Sequence, residues 1–290
     1  MKRIALAMAA LALVLSACAD RGVGSLAPGS EEATGPPATS GPSPESEPNE
    51  VGAFTYEVWF AGSEGWLFVS KRTAKSEPGV GKLALESLLA GPTETERAAG
   101  VFTAIPDSTE LLDLDVDDGI ATIDLSSEYE QSSGSHAEFL RLAQVVYTIT
   151  QFETVHGVNF QLEGEPVEVF GGHGIILDRP RARRDYRDYL PPILVESPTI
   201  GERVDNPVTV SGTANVFEAT VSLRILNARG EEIARTFTTA TCGTGCRGDY
   251  SVSVPYEVDR EQPGVIEVFE SSAEDGRPIH VVRIPVTLTP

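Results

Sequence analysis

The sequence is poor in metal ligands and in positive charge. Its 290 residues include three cysteines and four histidines, scattered along the chain, which leaves little material for a zinc or haem site. Lysine and arginine together number 22 against 43 aspartates and glutamates, a formal net charge of −21. A surface of that sign repels a phosphate backbone, so nucleic acid is excluded as a partner. Beyond the first 15 residues there is no long apolar run, and no segment is expected to remain in a bilayer as a spanning helix. With 41% hydrophobic and 22% charged residues the chain is globular, and its 27 Gly and 20 Pro favour strands, turns and a linker over a helix bundle. At roughly 100–200 residues per domain, the length allows two domains with cores of their own.

What stands at the start is an export signal. Lys2 and Arg3 precede 12 apolar residues, Ile4 to Leu15. As a helix at about 1.5 Å per residue that run falls well short of the ~30 Å hydrocarbon core, which fits a signal peptide over residues 1–17. Leu15-Ser16-Ala17-Cys18 resembles the lipobox of bacterial lipoproteins, which implies acylation of the Cys18 thiol and cleavage just before it. Two acyl chains hold a protein at a bilayer where one is marginal. Once Cys18 carries lipid, Cys242 and Cys246 remain as an even pair in an oxidising compartment and are expected to be joined. Closing so small a ring contributes about 2 kcal/mol on the chain-entropy model, enough to shape a loop rather than hold a fold.

Residues 18–53 are Pro, Gly, Ser, Glu and Ala with almost no large apolar side chain, the composition of a disordered tether with an r.m.s. reach of roughly 30–35 Å. Residues 54–177 mix helix and strand signals into an α+β domain. Phe54 to Phe60 and Trp66 to Ser70 read as strands, and Val80 to Leu89 has a helical period stopped by Gly91-Pro92. In LLDLDVDDGIATIDL, Leu112, Leu114 and Val116 alternate with Asp113, Asp115 and Asp117 around an Asp118-Gly119 turn, predicting a hairpin with the apolar row inward. Ser135 followed by Glu138 reads as a capping box opening a helix to about Phe152, with Phe139, Leu142, Val146 and Ile149 as its core stripe. Val158 to Leu162 and Pro166 to Phe170 predict a closing hairpin. Residues 178–190 hold five arginines between Arg179 and Arg187 and read as an Arg-rich linker, solvated and lying against the acidic first domain, with a polyanion such as a wall polymer as the functional reading. Residues 191–290 show about seven short alternating runs separated by turn residues, the pattern of an immunoglobulin-like β-sandwich.

Several motifs invite chemistry. Asp113 to Asp124 offers aspartates at the first, third and fifth places of a calcium loop, but the glycine falls one place late and Asp124 stands where a glutamate belongs; a weak cation contact is the most it supports. His136, His156, His173 and His280 share no ligand spacing, and no nucleophile elbow or zinc-protease motif is present. Arg247-Gly248-Asp249 reads as a turn entering a strand. Catalytic residues, metal and cofactor are therefore all expected to be none.

Longer strings point to a family. LLAGPTETE (Leu88 to Glu96), TAIP (Thr103 to Pro106), DGIATIDLSSEYE (Asp118 to Glu130) and LAQVVYTITQF (Leu142 to Phe152) resemble the GerMN domain of sporulation and spore-germination proteins. PPILVESP (Pro191 to Pro198), VTVSGTANVFEATV (Val208 to Val221), TATCGTGCRGDYS (Thr239 to Ser251) and FESSAEDG (Phe269 to Gly276) resemble the Gmad-type immunoglobulin-like domain of spore-germination proteins. Asp107-Ser108-Thr109 departs from the GerMN pattern, which has a Gly before the Thr. The resemblance implies an extracytoplasmic, lipid-anchored module without a catalytic centre that takes part in an envelope protein complex or in self-assembly. The alternative reading is a cell-wall hydrolase or accessory protein with an acidic cleft.

On the helix opened at Ser135, Arg141, Gln144, Thr148 and Gln151 form a polar seam opposite the core stripe, with a single formal charge in an acidic domain. A weakly charged seam is inexpensive to desolvate, so these four residues are the candidate interface. For the anchor, replacing Cys18 by Ala should move the protein from the membrane fraction to the soluble fraction on cell fractionation; salt-resistant membrane association of the variant would contradict acylation.

Overall fold

The computed structural model describes residues 52–62, 64–75 and 79–290. The signal peptide, Cys18 and nearly all of the tether lie outside the described residues. Among the described residues no helix is long and apolar enough to cross a membrane.

The first domain opens with the antiparallel hairpin β1 (Ala53–Ala61) and β2 (Leu67–Lys75). Helix α1 (Val80–Leu89) follows with the expected limits, and α2 (Glu94–Ala98) is capped by Thr93, whose hydroxyl accepts from the Glu96 amide while Glu96 reaches back to the Thr93 amide. Next come β3 (Leu111–Asp117) and β4 (Ile120–Leu125), turned at Asp118 and Gly119 with positive φ at both. A Cβ on Gly119 would sit 2.0 Å from the His156 ring, so the turn needs glycine there for space as well as conformation. Helix α3 (Ser135–Ile149) then crosses over to β5 (Gly157–Leu162), which pairs in parallel with β4. This crossover was not visible in the run of local patterns, because pairing direction depends on where the helix packs. The expected closing hairpin divides: β6 (Glu165–Pro166) pairs with β5, whereas β7 (Val169–Phe170) pairs with β8 (Ile175–Ile176).

Helix α3 packs on β1 and α1 over a core that includes Val58, Phe60, Leu88, Ile123, Leu142, Val146, Ile149 and Phe160. The Ser135 capping box is corrected. The N-cap is Gly134, Ser135 is already helical, and the Glu138 carboxylate, fully buried, accepts instead from the backbone of Ser133, Gly172 and His173 and from His173 Nδ1 at 3.0 Å.

Residues 178–190 form a folded strap rather than a solvated linker. Arg179 grips Asp185 with two bonds of 2.9 and 2.7 Å, and Arg181 exchanges backbone hydrogen bonds with Val158. The Arg183 guanidinium lies 5.3 Å from the Trp59 ring centre and 4.8 Å from that of Tyr147, and Tyr186 is buried in the first core.

The second domain is the expected sandwich. Its strands are β9 (Ile193–Ser197), β10 (Arg203–Val204), β11 (Val208–Ala214), β12 (Thr220–Leu226), β13 (Glu232–Thr239), β14 (Gly248–Val254), β15 (Gln262–Ser271) and β16 (Pro278–Leu288). One sheet runs β10-β16-β15-β12-β13 and the other β14-β11-β9. Alternation places Val221, Leu223 and Ile225 in the core, with Ser222 and Arg224 outward. Strand β9 serves both domains, since Ile193 and Val195 enter the sandwich core while Leu194 between them enters the first.

Cys242 and Cys246 are bonded to each other in the loop before β14. That loop docks on the turn at Val216 to Ala219, with Thr244 N donating to Val216 O and Glu218 N to Thr244 Oγ1. Reduction should therefore speed amide exchange at residues 216–219 and 242–246 and leave the sandwich folded, given the loop's contribution of about 2 kcal/mol. Hydrogen exchange with and without reductant measures it.

Candidate functional site

The four residues of the proposed seam are not a surface. Gln144 and Thr148 are fully buried, Arg141 is 3% exposed and Gln151 is half-buried. Gln144, Thr148 and Gln151 find partners on the edge of β1 that faces α3, away from β2. Gln151 Oε1 accepts from Glu57 N at 2.6 Å and its Nε2 donates to Glu57 O at 2.8 Å. Thr148 Oγ1 accepts from Trp59 N at 3.0 Å, and Gln144 Nε2 donates to Trp59 O at 3.1 Å. Ala61 completes the row by exchanging 2.8 Å backbone bonds with Phe102. Side chains of a helix thus replace a neighbouring strand. Gln144 also accepts from Ala104 N at 2.8 Å, and Arg141 donates to Ala104 O, Gln131 O, Tyr129 O and Ser133 Oγ. The interface assignment for Arg141, Gln144, Thr148 and Gln151 is corrected. Gln144, Thr148 and Gln151 turn inward because β1 has an edge that must find hydrogen-bond partners, and Arg141 because it ties the loops at Ala104 and at Tyr129 to Ser133 to the helix.

The other ionisable groups singled out by the sequence are also bound into the fold. His280 Nδ1 lies 2.9 Å from Glu270, and His136 Nε2 lies 3.0 Å from Gly65 O. Arg247 is half-buried and donates to Thr213 and to Pro191 O, so Arg247-Gly248-Asp249 is a strand entry and not a presented tripeptide. Among the described residues no group of three His, Cys, Asp or Glu side chains could hold a metal ion, and Asp113 and Asp124 are simply opposite each other across β3 and β4.

Two carboxylates are held at low pKa by arginine. Burial alone would raise Glu96, but hydrogen bonds from Arg72 at 2.8 and 2.7 Å and from the Thr93 amide outweigh it and hold the carboxyl at about 2. The Arg179 fork, against a smaller opposing effect of burial, holds Asp185 at about 2 as well. Glu196 on β9 moves the other way: burial raises it, and Glu57 and Asp249 add to the effect against Arg183 and Lys71. Glu57, Lys71 and Arg183 line an open polar cleft of about 1000 Å³ between the domains, together with Thr55, Gln151 and Thr199. A second, more apolar cleft of about 400 Å³ lies between Trp66, Phe68 and Val101 on one side and Ile193, Val195 and Val282 on the other.

What stays uncovered is the outer strand of the first domain's sheet. β3 lies at one end of the order β3-β4-β5-β6. Leu112 and Val116, expected to point into the core, are each 45% exposed. A bulge at Leu112 turns it out of the apolar row, and Val116, though opposite the buried Ala121, lies beyond the cover of the helices. Strand alternation could assign Val116 to a face without showing how far along that face the helices reach.

An α+β module sharing a strand with an immunoglobulin-like sandwich is the class this fold defines. Residues 58–168 match the family model Germane, described as sporulation and spore germination, and residues 192–277 match Gmad2, described as the immunoglobulin-like domain of bacterial spore germination. The chain is a GerMN domain followed by a Gmad-type domain of these families. Among solved structures, it is 19% identical to the first GerMN domain of the sporulation protein GerM from Bacillus subtilis, covering 46% of this chain and 99% of that one, at a TM-score of 0.40. It is 14% identical to the tandem GerMN domains of the same protein, covering 82% of this chain and 61% of that one, at a TM-score of 0.42. Both scores lie below 0.5, and the assignment rests on the two family models. No curated protein gives a significant match.

Two outcomes follow. Thr148→Val should lower stability by roughly 1–3 kcal/mol by orphaning the Trp59 amide, and Gln144→Glu by more, because it buries a charge and sets a carboxylate oxygen against the Trp59 carbonyl where an amide donated. Urea unfolding measures both; a surface role would leave the midpoints unmoved. Because the folded pKa values of Glu96 and Asp185 are depressed, their stabilisation is fully present above the ordinary carboxyl range near pH 4–4.5 and is lost as pH falls towards about 2. Melting curves of Arg72→Gln and the unaltered chain should therefore differ at pH 7 and converge near pH 2.

Proposed function

We propose that this chain is an extracytoplasmic lipoprotein, held at the membrane by acylated Cys18, whose two domains act as a non-enzymatic assembly module of an envelope complex. The observation that carries the reading is the pair of domain families in one compact unit, both described by sporulation or spore germination. The setting of the strongly bound carboxylates agrees with it. Glu96, Asp185 and Glu267 are each tied to arginine, and Glu138 to backbone amides and His173, arrangements that fix structure rather than pass protons. Crosslinking in native membranes, followed by affinity purification, should recover defined envelope proteins in stoichiometric amounts. Recovery of the chain alone would count against assembly.

A second reading has one observation in its favour. Glu196 is a carboxyl whose pKa is raised, beside a polar cleft that Glu57 lines, and a general acid for glycan cleavage needs such a group. Incubation with purified peptidoglycan decides it. Release of soluble fragments that Glu196→Gln abolishes would establish a hydrolase and displace the assembly reading.

A further inference from the structure

The free edge of β3 combines three features. Its backbone has no partner on the side away from β4 among the described residues: no strand pairs there, and no hydrogen bond outside the ladder involves residues 111–117. On its inner face a groove of about 690 Å³ runs between β3 and the helices, lined by Val80, Leu114, Val116, Ile149 and Phe152. On its outer face stand Asp113, Asp115 and Asp117, exposed and in register with Asp124, Thr122 and Ile120 of β4. An unprotected edge with apolar side chains is a template for strand addition, and natural proteins usually blunt such edges.

The charge pattern selects the occupant. In an added strand, alternate side chains fall on the two faces, so those above the groove must be apolar and those beside the aspartates should be basic. A second copy of β3 cannot meet both demands. Paired antiparallel with itself, it either sets Asp opposite Asp or moves one residue in register and turns its apolar row to solvent. We infer that β3 is a docking edge for an extended segment of another protein in which lysine or arginine alternates with apolar residues, added as a further strand to the sheet. This rests on the assembly reading above and names the surface and the kind of partner.

The probe is a short blocked peptide alternating lysine and valine, offered to the full chain in detergent, with a glutamate–valine peptide as its counterpart. The lysine–valine peptide should slow exchange of the amides in Leu111–Asp117 that point away from β4 at least tenfold, and the glutamate–valine peptide should not. Reversing Asp113, Asp115 and Asp117 to Lys leaves the chain as a whole strongly acidic, so diffuse attraction for lysine persists. Binding at β3 should nonetheless switch to the glutamate–valine peptide. Protection, before any peptide is added, of the β3 amides that point away from β4 would mean that the edge is already covered, by another part of the chain or by a second copy, and would overturn the inference. Lysine–valine binding unchanged by the charge reversal would overturn it too. If the reversed chain still recovers the same crosslinked envelope proteins, the docking edge is wrong while the assembly reading stands; if neither form recovers any, the assembly reading itself fails.

Discussion

The first domain depends on how β1 ends its hydrogen bonding. A two-stranded hairpin in the middle of a core has one edge paired and one edge facing apolar packing, and each orphaned amide or carbonyl there costs about 1–3 kcal/mol. Here Gln144, Thr148 and Gln151, one helical turn apart, meet the backbone of Trp59 and Glu57, and Phe102 meets Ala61. The repeat along the strand, two residues, and the repeat along the helix, three to four, advance by similar distances of roughly 5–7 Å, so one row of polar side chains can serve one strand edge. Helix position, strand position and core packing are thereby specified together.

The same economy explains what is left open. The domain joins its elements through a strand–helix–strand crossover, with β5 covered on its outer side by β6 and by the Val158–Arg181 bridge. Apart from its partner β4, β3 is approached by α1 and by the end of α3, on one face. Its aspartates discourage self-pairing in the way that charged edge residues do elsewhere, yet Leu112 and Val116 are kept.

Much of this architecture was legible from residues close in sequence. Val80 to Leu89 has its helical period and its stop at Gly91-Pro92, and the sandwich strands alternate as they must when one face is buried. What escaped depends on distant contacts. The Ser135–Glu138 spacing satisfies a capping box, but Glu138 instead meets a loop about 35 residues away, where Gly171 leaves room that a Cβ 2.4 Å from its carboxylate would fill. The polar row on α3 looks like any solvated helix face until β1 is placed against it. The arginines of residues 178–190 look like a charged linker until Trp59 and Tyr147 are seen beneath Arg183. Polar side chains in a sequence do not announce whether water or backbone will satisfy them.

Strand β9 has a mechanical consequence. Because Leu194 is embedded in one core while Ile193 and Val195 are embedded in the other, a load applied to the sandwich cannot be taken up by an extensible joint. It passes as shear along a single extended strand, the direction in which a ladder of hydrogen bonds resists together rather than one bond at a time. The two domains would therefore yield to tension as one element, and the first part of the molecule to lengthen would lie elsewhere.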